Sequence, residues 1–389
     1  MQIGIDANPA NREQRTGTEW YAFNLIQALK KQLLEVDERV ILYSAQPLRD
    51  DLKELPANWE SRVLHWPFKR FWTQGRFSWE MLRRPVDVLF VPAHAIPRIH
   101  PHSKKKQRAT VTTIHDLAFR RLPGLYEPKK RRYLNWSTRF ATRHAAALLV
   151  PSEATKQDVM EFYRVPTNRI AVTPLAPDHA RFDRVTEGDV ERVRKAYQLS
   201  PSYFLTVSRL EEKKNIVNLI RAFELFKSRR GVGDPFELVL VGKPGHGYEK
   251  IKSFLNASSA KGQIKELGWV KEEEVPALMK GAFTYVYPSW YEGFGISAVE
   301  AMAAGTALIA SDLPVMHEVA GDAAWYARPN EPEAFASLFA RLVDEPTSRE
   351  QMVAAGKMRV KDFQWEETAR KTLEVLRECD IPENILHNL

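Results

Sequence analysis

Two glutamates lie eight positions apart on either side of a glycine-containing turn, in the segment Glu292–Glu300 with the sequence EGFGISAVE. The apolar run 283–287 before it is typical of a buried strand, and the run 296–304 after it is typical of a helix. Free amides at a helix start attract phosphate, and glycines let a ligand approach the backbone closely. Because phosphate repels carboxylates, the glutamates are expected to accept hydrogen bonds from hydroxyl groups. Phosphate and hydroxyls together indicate a nucleotide-linked sugar.

A structural explanation of the same segment stays open at this point. Turns with two glycines between a strand and a helix are common in α/β proteins, and many of them bind nothing. Glutamates near a helix start also complement the helix dipole. The spacing alone therefore favours neither explanation.

A pair of cations follows another strand-like run, Tyr203–Val207. Arg209 and Lys214 would leave the carboxyl end of that strand and meet near the start of the next helix. Two cations there would hold a diphosphate and stabilise its charge as it leaves. The alternative is a solvated loop in which Glu211 and Glu212 neutralise the lysines. The downstream glutamates shift the balance towards diphosphate binding.

The first half of the chain contributes two further candidates. His115 closes the strand-like run 111–114, where it would hydrogen-bond a sugar hydroxyl or relay a proton near neutral pH. A structural pair with Asp116 is the alternative, and the absence of a second histidine at ligand spacing argues against a metal site. Gly17 precedes the first predicted helix and would let the backbone approach a phosphate, although an ordinary turn is the simpler expectation.

Composition restricts the class of protein. The chain has 389 residues, of which 44% are hydrophobic, and one cysteine, Cys379, so neither an internal disulfide nor a thiolate metal cluster is expected. It has no apolar run long enough to span a membrane and does not start with a signal-peptide pattern, which predicts a cytoplasmic protein. Residues 1–185 hold 31 Lys and Arg against 19 Asp and Glu. This excess predicts an anionic partner: nucleic acid, a membrane surface or an acidic substrate.

Strand-like and helix-like runs alternate along both halves of the chain. This alternation predicts parallel sheets covered by helices on both faces, and therefore an α/β fold of two doubly wound, Rossmann-like domains that face a central cleft. The apolar pattern is interrupted between residues 174 and 200, and we place the boundary so that the domains comprise 1–183 and 184–365. Ligands of such sheets bind beyond the carboxyl ends of the strands.

Three basic segments stand out in the first half. Residues 104–108 and 129–132 are charge runs, for which solvated loops are the first interpretation. In residues 68–79, aromatic residues alternate with arginine and lysine. That pattern suits a membrane interface or an acceptor surface as well as it suits a helix that packs its aromatic rings inward.

Together these segments resemble the retaining glycosyltransferases of family 4, the glycosyl transferases of group 1, which have the GT-B fold of two Rossmann-like domains. The resemblance extends over nearly the whole chain and is strongest in Pro288–Gly305 and in 310–324. The pair Arg209 and Lys214, the dipeptide at His115 and the closing FQW at 363–365 occur in the expected order. The resemblance also implies that residues 366–389 form a helix that crosses back to the N-terminal domain.

The resemblance implies roles for the glutamate segment. Glu292 is similar to the glutamate that contacts hydroxyls of the donor sugar, and Glu300 to the one that binds the nucleotide ribose. The amides of Gly293, Phe294 and Gly295 would line the sugar and the diphosphate.

It also implies roles for the remaining candidates. Arg209 and Lys214 would neutralise the leaving diphosphate, His115 would lie beside the donor sugar and the acceptor, and Gly17 would face the phosphates. Many members carry two glycines in the first loop, where this chain has TGTE at 16–19. Glu19 near a diphosphate would be unfavourable unless it points away.

The expected function is retaining transfer of a hexosyl group, mannosyl as the first choice, from a nucleotide diphosphate sugar to a glycan or lipid-linked glycan in cell-envelope polysaccharide synthesis. No metal, cofactor or nucleic acid is expected, and an anionic membrane surface at the inner face of the membrane is a further expected contact. The alternatives are a GT-B epimerase or phosphorylase and, more distantly, a nucleic-acid-binding protein.

Overall fold

The computed structural model of the chain describes residues 1–32, 35–68, 71–102, 108–231 and 233–379. These residues divide into two compact units. The N-terminal unit comprises Met1–Arg120, Glu127–Leu175 and the chain from Gln364, and the C-terminal unit comprises Arg121–Tyr126 and Ala176–Phe363. The chain thus passes from the N-terminal unit to the C-terminal unit after residue 175, within the region 174–200 where the apolar pattern is interrupted. The short segment 121–126 also belongs to the C-terminal unit.

The N-terminal unit is built on a parallel sheet of seven described strands in the order β3-β2-β1-β4-β5-β6-β7. Apart from the edge strands β3 and β7, its strands are largely buried on both faces, as expected where helices cover a parallel sheet. They are β1 Gln2–Asp6, β2 Arg39–Ser44, β3 Trp59–Val63, β4 Val88–Val91, β5 Ala109–Thr113, β6 Ala147–Val150 and β7 Ile170–Val172.

Among the residues that the structure describes, five α-helices in the first part of the chain accompany this sheet, α1 Gly17–Leu29, α2 Ser78–Arg83, α3 Ala118–Arg121, α4 Pro128–His144 and α5 Glu153–Tyr163. The last described helix, α15 Trp365–Glu378, packs against α1 in the same unit. Arg377 donates two hydrogen bonds of 2.8 Å to the carboxylate of Glu38, which is buried and has a pKa below its ordinary value chiefly because of these bonds. This bidentate pair fixes α15 at the edge of the N-terminal unit.

The C-terminal unit has a parallel sheet of six described strands in the order β10-β9-β8-β11-β12-β13. The strands are β8 Tyr203–Val207, β9 Glu237–Val241, β10 Ile264–Gly268, β11 Thr284–Tyr287, β12 Ala307–Ser311 and β13 Ala324–Ala327. The helices are α6 His179–Asp183, α7 Glu187–Ala196, α8 Ile216–Arg230, α9 Tyr248–Ala257, α10 Val275–Gly281, α11 Ile296–Ala303, α12 Pro314–Ala320, α13 Pro332–Asp344 and α14 Pro346–Arg359.

A cluster of phenylalanine rings fills the core on one face of the C-terminal sheet. Phe204 of β8 lies at its centre, with its ring centroid 5.2 Å from that of Phe226, 5.0 Å from that of Phe236 and 4.8 Å from that of Phe339. These rings are almost inaccessible to solvent. Such a packed core holds β8 rigidly, and therefore also holds the loop that leaves its carboxyl end.

In both sheets the strand order reverses next to the first strand of the unit. The reversals lie between β1 and β4 and between β8 and β11. In an open parallel sheet, ligands bind outside the carboxyl ends of the strands at this point. The prediction of two doubly wound, Rossmann-like domains is confirmed, and the loops that follow β8 and β11 are where the C-terminal unit is expected to bind a ligand.

Some local predictions were wrong. Residues 129–132 lie in the first turns of α4 rather than in a loop, because Pro128 begins the helix and small residues further along α4 form its buried face. In the segment 68–79, Trp72 is buried, whereas Phe68 and Trp79 are 66% and 53% exposed, so only some of its rings pack inward, and the membrane or acceptor surface stays a prediction. Residues 69–70 and 104–107 lie outside the described part of the chain.

Candidate active site

The loop after β8 is joined to the loop after β9. The Leu210 amide donates to the Lys243 carbonyl at 3.0 Å, and the Gly245 amide donates to the Leu210 carbonyl at 2.9 Å. A Cβ on Gly245 would lie 2.8 Å from Cγ of Arg209, so glycine is needed for the stem of Arg209 to pass there. The Arg209 side chain is exposed. The fold thus presents a guanidinium at the carboxyl end of β8, where a ligand can reach it.

Lys214 and Glu292 meet at the switch point, although 78 residues separate them in the chain. The Lys214 Nζ atom donates to the Glu292 Oε1 atom at 2.7 Å, and their side chains are 18% and 9% exposed. The Tyr287 ring lies below this pair, with its centroid 5.5 Å from the Lys214 Nζ atom. Two of the predicted site residues, one from each loop, therefore form a largely buried ion pair.

Asn215 positions Lys214. It has a left-handed backbone, with φ of 58°, and its side-chain amide donates to the carbonyls of Pro288 at 2.9 Å and Pro329 at 2.6 Å. Those bonds connect the loop after β8 to the loops after β11 and β13. Asn215 was not predicted from the sequence as a site residue; the available signal was that asparagine tolerates positive φ better than most residues do.

The Glu292 carboxyl group is held in its ionised form. Burial by itself raises its pKa, but the charges of Lys214 and Lys213 and hydrogen bonds from Lys214 and Ser289 more than offset this, and the pKa lies below its ordinary value. An ionised carboxylate accepts hydrogen bonds from hydroxyl groups and cannot donate them. Glu292 is therefore suited to bind sugar hydroxyls across the physiological pH range.

The turn between Glu292 and α11 brings the backbone close to its neighbours. Gly295 precedes the helix with φ of 98°, and a Cβ there would lie 2.3 Å from Cε of Met316. The Phe294 ring is buried and makes an edge contact with the ring of Phe363, at 5.6 Å between centroids. Phe294 can thus face a ligand only with its backbone, which agrees with the amide role expected from the resemblance.

Glu300 differs from Glu292 although both are glutamates of one segment. It lies in the second turn of α11, and burial raises its pKa to about 7, with Arg181 opposing the shift and Glu272 adding to it. Among the described residues, no side chain forms a hydrogen bond or ion pair with the Glu300 carboxylate, which remains partly exposed. It is a carboxylate whose charge a ligand's hydroxyl groups would stabilise.

In the N-terminal unit, His115 follows β5 in a largely enclosed position. Its Nε2–H donates to the Pro92 carbonyl at 3.1 Å, and its ring makes an edge contact with the ring of Tyr21, at 4.7 Å between centroids. Burial lowers the pKa of His115 to about 4. The imidazole is therefore neutral at pH 7, and its Nδ1 atom is an acceptor. This favours the predicted hydrogen bond to a hydroxyl over the predicted proton relay.

Gly17 opens α1 and is exposed, and a Cβ built there would meet no atom within 4 Å. Glu19 turns back on the helix start and accepts a hydrogen bond of 2.7 Å from the Thr16 amide and another from the Thr16 hydroxyl. The carboxylate thus caps the helix in a capping box. It occupies the position where a phosphate would approach, which makes Gly17 the least supported of the predicted site residues.

Within the described residues, no three His, Cys, Asp or Glu side chains are grouped so as to hold a metal ion. No helix in that part of the chain combines the length and apolar character needed to cross a membrane.

The fold and the site together define a class of protein. The protein has two Rossmann-like units, and the loops at the switch point of the C-terminal unit carry two cations and two glutamates. These are the features of a GT-B glycosyltransferase. Residues 189–359 match the model for glycosyl transferases group 1, and residues 15–181 match the model for glycosyltransferase family 4. The chain belongs to glycosyltransferase family 4.

Individual relatives agree with this assignment. The O-antigen chain mannosyltransferase B of Escherichia coli is 31% identical over 279 residues, which is 71% of either chain. Among solved structures, sucrose-phosphate synthase from Thermosynechococcus elongatus has 17% identity and a TM-score of 0.74 over 97% of this chain and 98% of that one. Anabaena HepE, solved in complex with UDP and glucose, has 15% identity and a TM-score of 0.72 over 97% and 99%. At these identities the two structures establish the fold alone.

Proposed function

We propose that the protein transfers a hexosyl group, mannosyl as the first choice, from a nucleotide diphosphate sugar to a hydroxyl of a glycan or lipid-linked glycan, with retention of the anomeric configuration. The observation that carries this proposal is the 2.7 Å pair of Lys214 and Glu292 at the switch point. In our proposal the lysine binds the diphosphate, and the carboxylate beside it binds hydroxyls of the sugar. The E. coli relative, named as an O-antigen chain mannosyltransferase, supports the choice of sugar and of polysaccharide synthesis.

In this proposal, catalysis requires mainly that the charge on the leaving diphosphate is stabilised. The bond between the anomeric carbon and the diphosphate oxygen breaks, and negative charge develops on that oxygen. Arg209 and Lys214 stabilise this charge together with the amides of the turn before α11. Glu292 holds the sugar by its hydroxyls. The acceptor oxygen then bonds to the anomeric carbon from the same face, and its proton passes to the departing diphosphate.

The acceptor side of the reaction is assigned to the N-terminal unit. A neutral His115, whose Nε2–H is engaged by Pro92, offers its Nδ1 atom to a substrate hydroxyl. It therefore orients a hydroxyl group without carrying charge. Glu300 is assigned to the nucleotide ribose, since its carboxylate is partly exposed and has no side-chain partner among the described residues.

The test of the proposed function is a two-stage screen. Thermal shift with UDP, GDP, ADP and their sugars identifies the donor, and the donor is then incubated with mannosides as acceptors. We expect stabilisation by one nucleotide family and a transfer product whose anomeric configuration, read by NMR coupling, equals that of the donor. Conversion of the donor sugar without an acceptor would indicate an epimerase instead, and an inverted product would contradict retention.

The affinity for the donor is expected to rise with pH. The pKa of Glu300 is about 7 in the free protein, and its ionised form accepts stronger, charge-assisted hydrogen bonds from the ribose hydroxyls than its protonated form does. Raising the pH from 6 to 8 should therefore increase the affinity by up to about tenfold, as the ionised fraction grows. Calorimetry with an intact nucleotide sugar measures this without titration of a terminal phosphate. Glu300→Gln is the control, and an equal pH dependence in that variant would contradict the assignment.

Transfer is expected to be independent of divalent metal ions. The positive charge that the leaving diphosphate needs is supplied by Arg209 and Lys214 in our proposal. Dialysis against EDTA should leave the initial rate unchanged. Complete inhibition that magnesium or manganese reverses would refute this part of the proposal.

We further propose that the N-terminal unit contacts an anionic membrane surface. Phe71, Tyr133 and Trp136 are 75%, 52% and 47% exposed. They lie on segments that share one core cluster, in which Trp72 packs with α4. The α4 helix also carries basic residues in its first and last turns and no acidic residue. Aromatic rings with a basic helix suit the interface of an anionic bilayer.

Binding to vesicles tests this surface. Tyr133→Ser/Trp136→Ser should reduce co-sedimentation with vesicles that contain phosphatidylglycerol by several-fold, because both rings leave the interface. Transfer to a soluble acceptor should be unchanged. Met358→Ser is the matched control, since Met358 is 64% exposed on the C-terminal unit. Equal sedimentation of all three proteins would remove the membrane from the proposal.

A further inference from the structure

The C-terminal unit contains a pocket that has no role in the reaction described so far. The pocket has a volume of about 460 Å³ and lies between the first turns of α8 and the helix α9, with Leu122 and Leu125 on one side. The latter two belong to the short segment 121–126, which packs with this unit although the chain on either side of it belongs to the N-terminal unit. The volume is within the usual range for a small-molecule site, about 300–1,000 Å³.

The walls of the pocket combine two kinds of surface. The half-buried rings of Trp290 and Phe254 and the leucines of segment 121–126 form an apolar part. At the polar part, the Lys250 Nζ atom pairs with the Glu212 Oε1 atom at 3.1 Å, where both groups retain access to solvent. Arg221 also lines the pocket, with its guanidinium carbon 4.8 Å from the centroid of the Phe254 ring, so the polar part offers both donors and acceptors of hydrogen bonds.

This combination fits a sugar ring. A pyranose has apolar C–H faces that pack on aromatic rings and hydroxyl groups around its edge that both donate and accept hydrogen bonds. An aromatic wall next to a carboxylate and an ammonium group satisfies both requirements. A purely aliphatic ligand would leave the charged groups of Glu212, Lys250 and Arg221 unsolvated.

The pocket adjoins the reaction site through the backbone. The Trp290 amide donates to the Lys213 carbonyl at 3.0 Å, next to Lys214. Trp290 also precedes Glu292 by two positions. A sugar in the pocket is therefore close to the donor site, while the pocket itself is lined neither by Lys214 nor by Glu292.

We propose that this pocket binds a sugar residue of the acceptor glycan, further along the chain than the residue that receives the transferred hexose. The inference depends on the proposed transferase function and makes it more specific. It assigns to the enzyme a preference for oligosaccharide acceptors. It also gives segment 121–126 a role in acceptor selection, since Leu122 and Leu125 close the pocket.

Acceptor kinetics at saturating donor test this proposal. The wild-type enzyme is compared on soluble mannosides of one and of three residues with the same aglycone. We expect KM for the trisaccharide to be about tenfold lower, and Trp290→Ala and Phe254→Ala each to remove most of that difference while KM for the monosaccharide stays the same. Phe254 lies on α9, away from the loop of Glu292, so its variant separates the pocket from the donor site.

Donor affinity provides a control. We expect the affinity for the nucleotide sugar, measured by calorimetry, to be unchanged in Phe254→Ala. We expect Met358→Ala to resemble wild type in every measurement. Equal KM for short and long acceptors in wild type, or a tenfold difference that persists in both variants, would overturn the pocket assignment. A preference that follows an apolar aglycone instead of added sugars would overturn it as well. Absence of transfer by the wild-type enzyme would overturn the proposed function itself.

Discussion

Replacing Lys214 with alanine is expected to lower kcat/KM for transfer by roughly 100- to 1,000-fold, the loss observed when one preorganised group that stabilises transition-state charge is removed. The ammonium group lies 2.7 Å from Glu292 and is held there by the loop that Asn215 anchors. Its removal takes away a charge that the departing diphosphate needs. Steady-state kinetics with the identified donor measure the effect.

The cost in folding should be smaller than the cost in catalysis. Without Lys214, burial raises the pKa of Glu292, and the carboxyl group can take up a proton instead of remaining as an unpaired charge. We expect the free energy of unfolding to fall by about 1–3 kcal/mol. A Lys214→Ala protein that does not fold, or one with normal turnover, would count against the assignment.

A second buried ion pair of the same unit provides the matched control. The Lys227 Nζ atom pairs with Asp234 at 2.9 Å, and the side chains are 9% and 4% exposed. Lys227→Ala should reduce stability by about 1–3 kcal/mol, because it removes the hydrogen bonds of the ammonium group to Asp234 and to the Phe236 carbonyl, while Arg230 still pairs with Asp234 at 2.8 Å. It should leave kcat/KM of the folded enzyme unchanged. The two lysine variants thus separate loss of an ion pair from loss of catalysis.

Arg209→Ala is expected to lower kcat/KM by a similar factor, roughly 100-fold or more, and to leave the melting temperature unchanged. The melting temperature should stay the same because the Arg209 side chain is exposed, so its truncation creates neither a cavity nor an unpaired buried group. Kinetics and thermal unfolding of the same preparation measure both quantities.

Arg209→Lys sharpens this prediction. Lysine keeps the charge but lacks the planar fork that binds two phosphate oxygens at once, so it should restore only part of the activity. Arg229→Ala, which removes an exposed arginine in the last turn of α8, is the control for a change of surface charge. Full activity in Arg209→Ala would show that the diphosphate is bound elsewhere.

The architecture was readable from the sequence because its main strands are continuous apolar runs. Two strands escaped prediction, β3 with the sequence WESRV and β10 with IKELG. Both lie at an edge of their sheet, where polar residues are tolerated, so neither has an apolar run. Helix α4 escaped for a related reason: its buried residues are Ser137, Thr138, Ala141 and Thr142, which form no hydrophobic stripe.

The residue types of the candidate site were also readable, but its pairings were not. The motif around Glu292 and the cations after β8 could be identified singly, whereas the ion pair of Lys214 with Glu292 joins loops 78 residues apart. Nor could the sequence distinguish the two glutamates. Glu292 has a lowered pKa because the charges of nearby lysines outweigh the effect of burial. Glu300 has a pKa of about 7 because, among the described residues, only the charge of Arg181 opposes that effect. That difference depends on three-dimensional neighbours.

The most direct measurement is the affinity of the free nucleoside diphosphate for wild type and for Arg209→Ala/Lys214→Ala, by calorimetry at one low salt concentration. If paired cations at the carboxyl end of β8 hold the diphosphate, wild type should bind one equivalent of the nucleotide, and the double variant should bind it at least about 100-fold more weakly, since two charge-assisted contacts are lost. Equal affinity in the two folded proteins would contradict the site proposed for this glycosyltransferase.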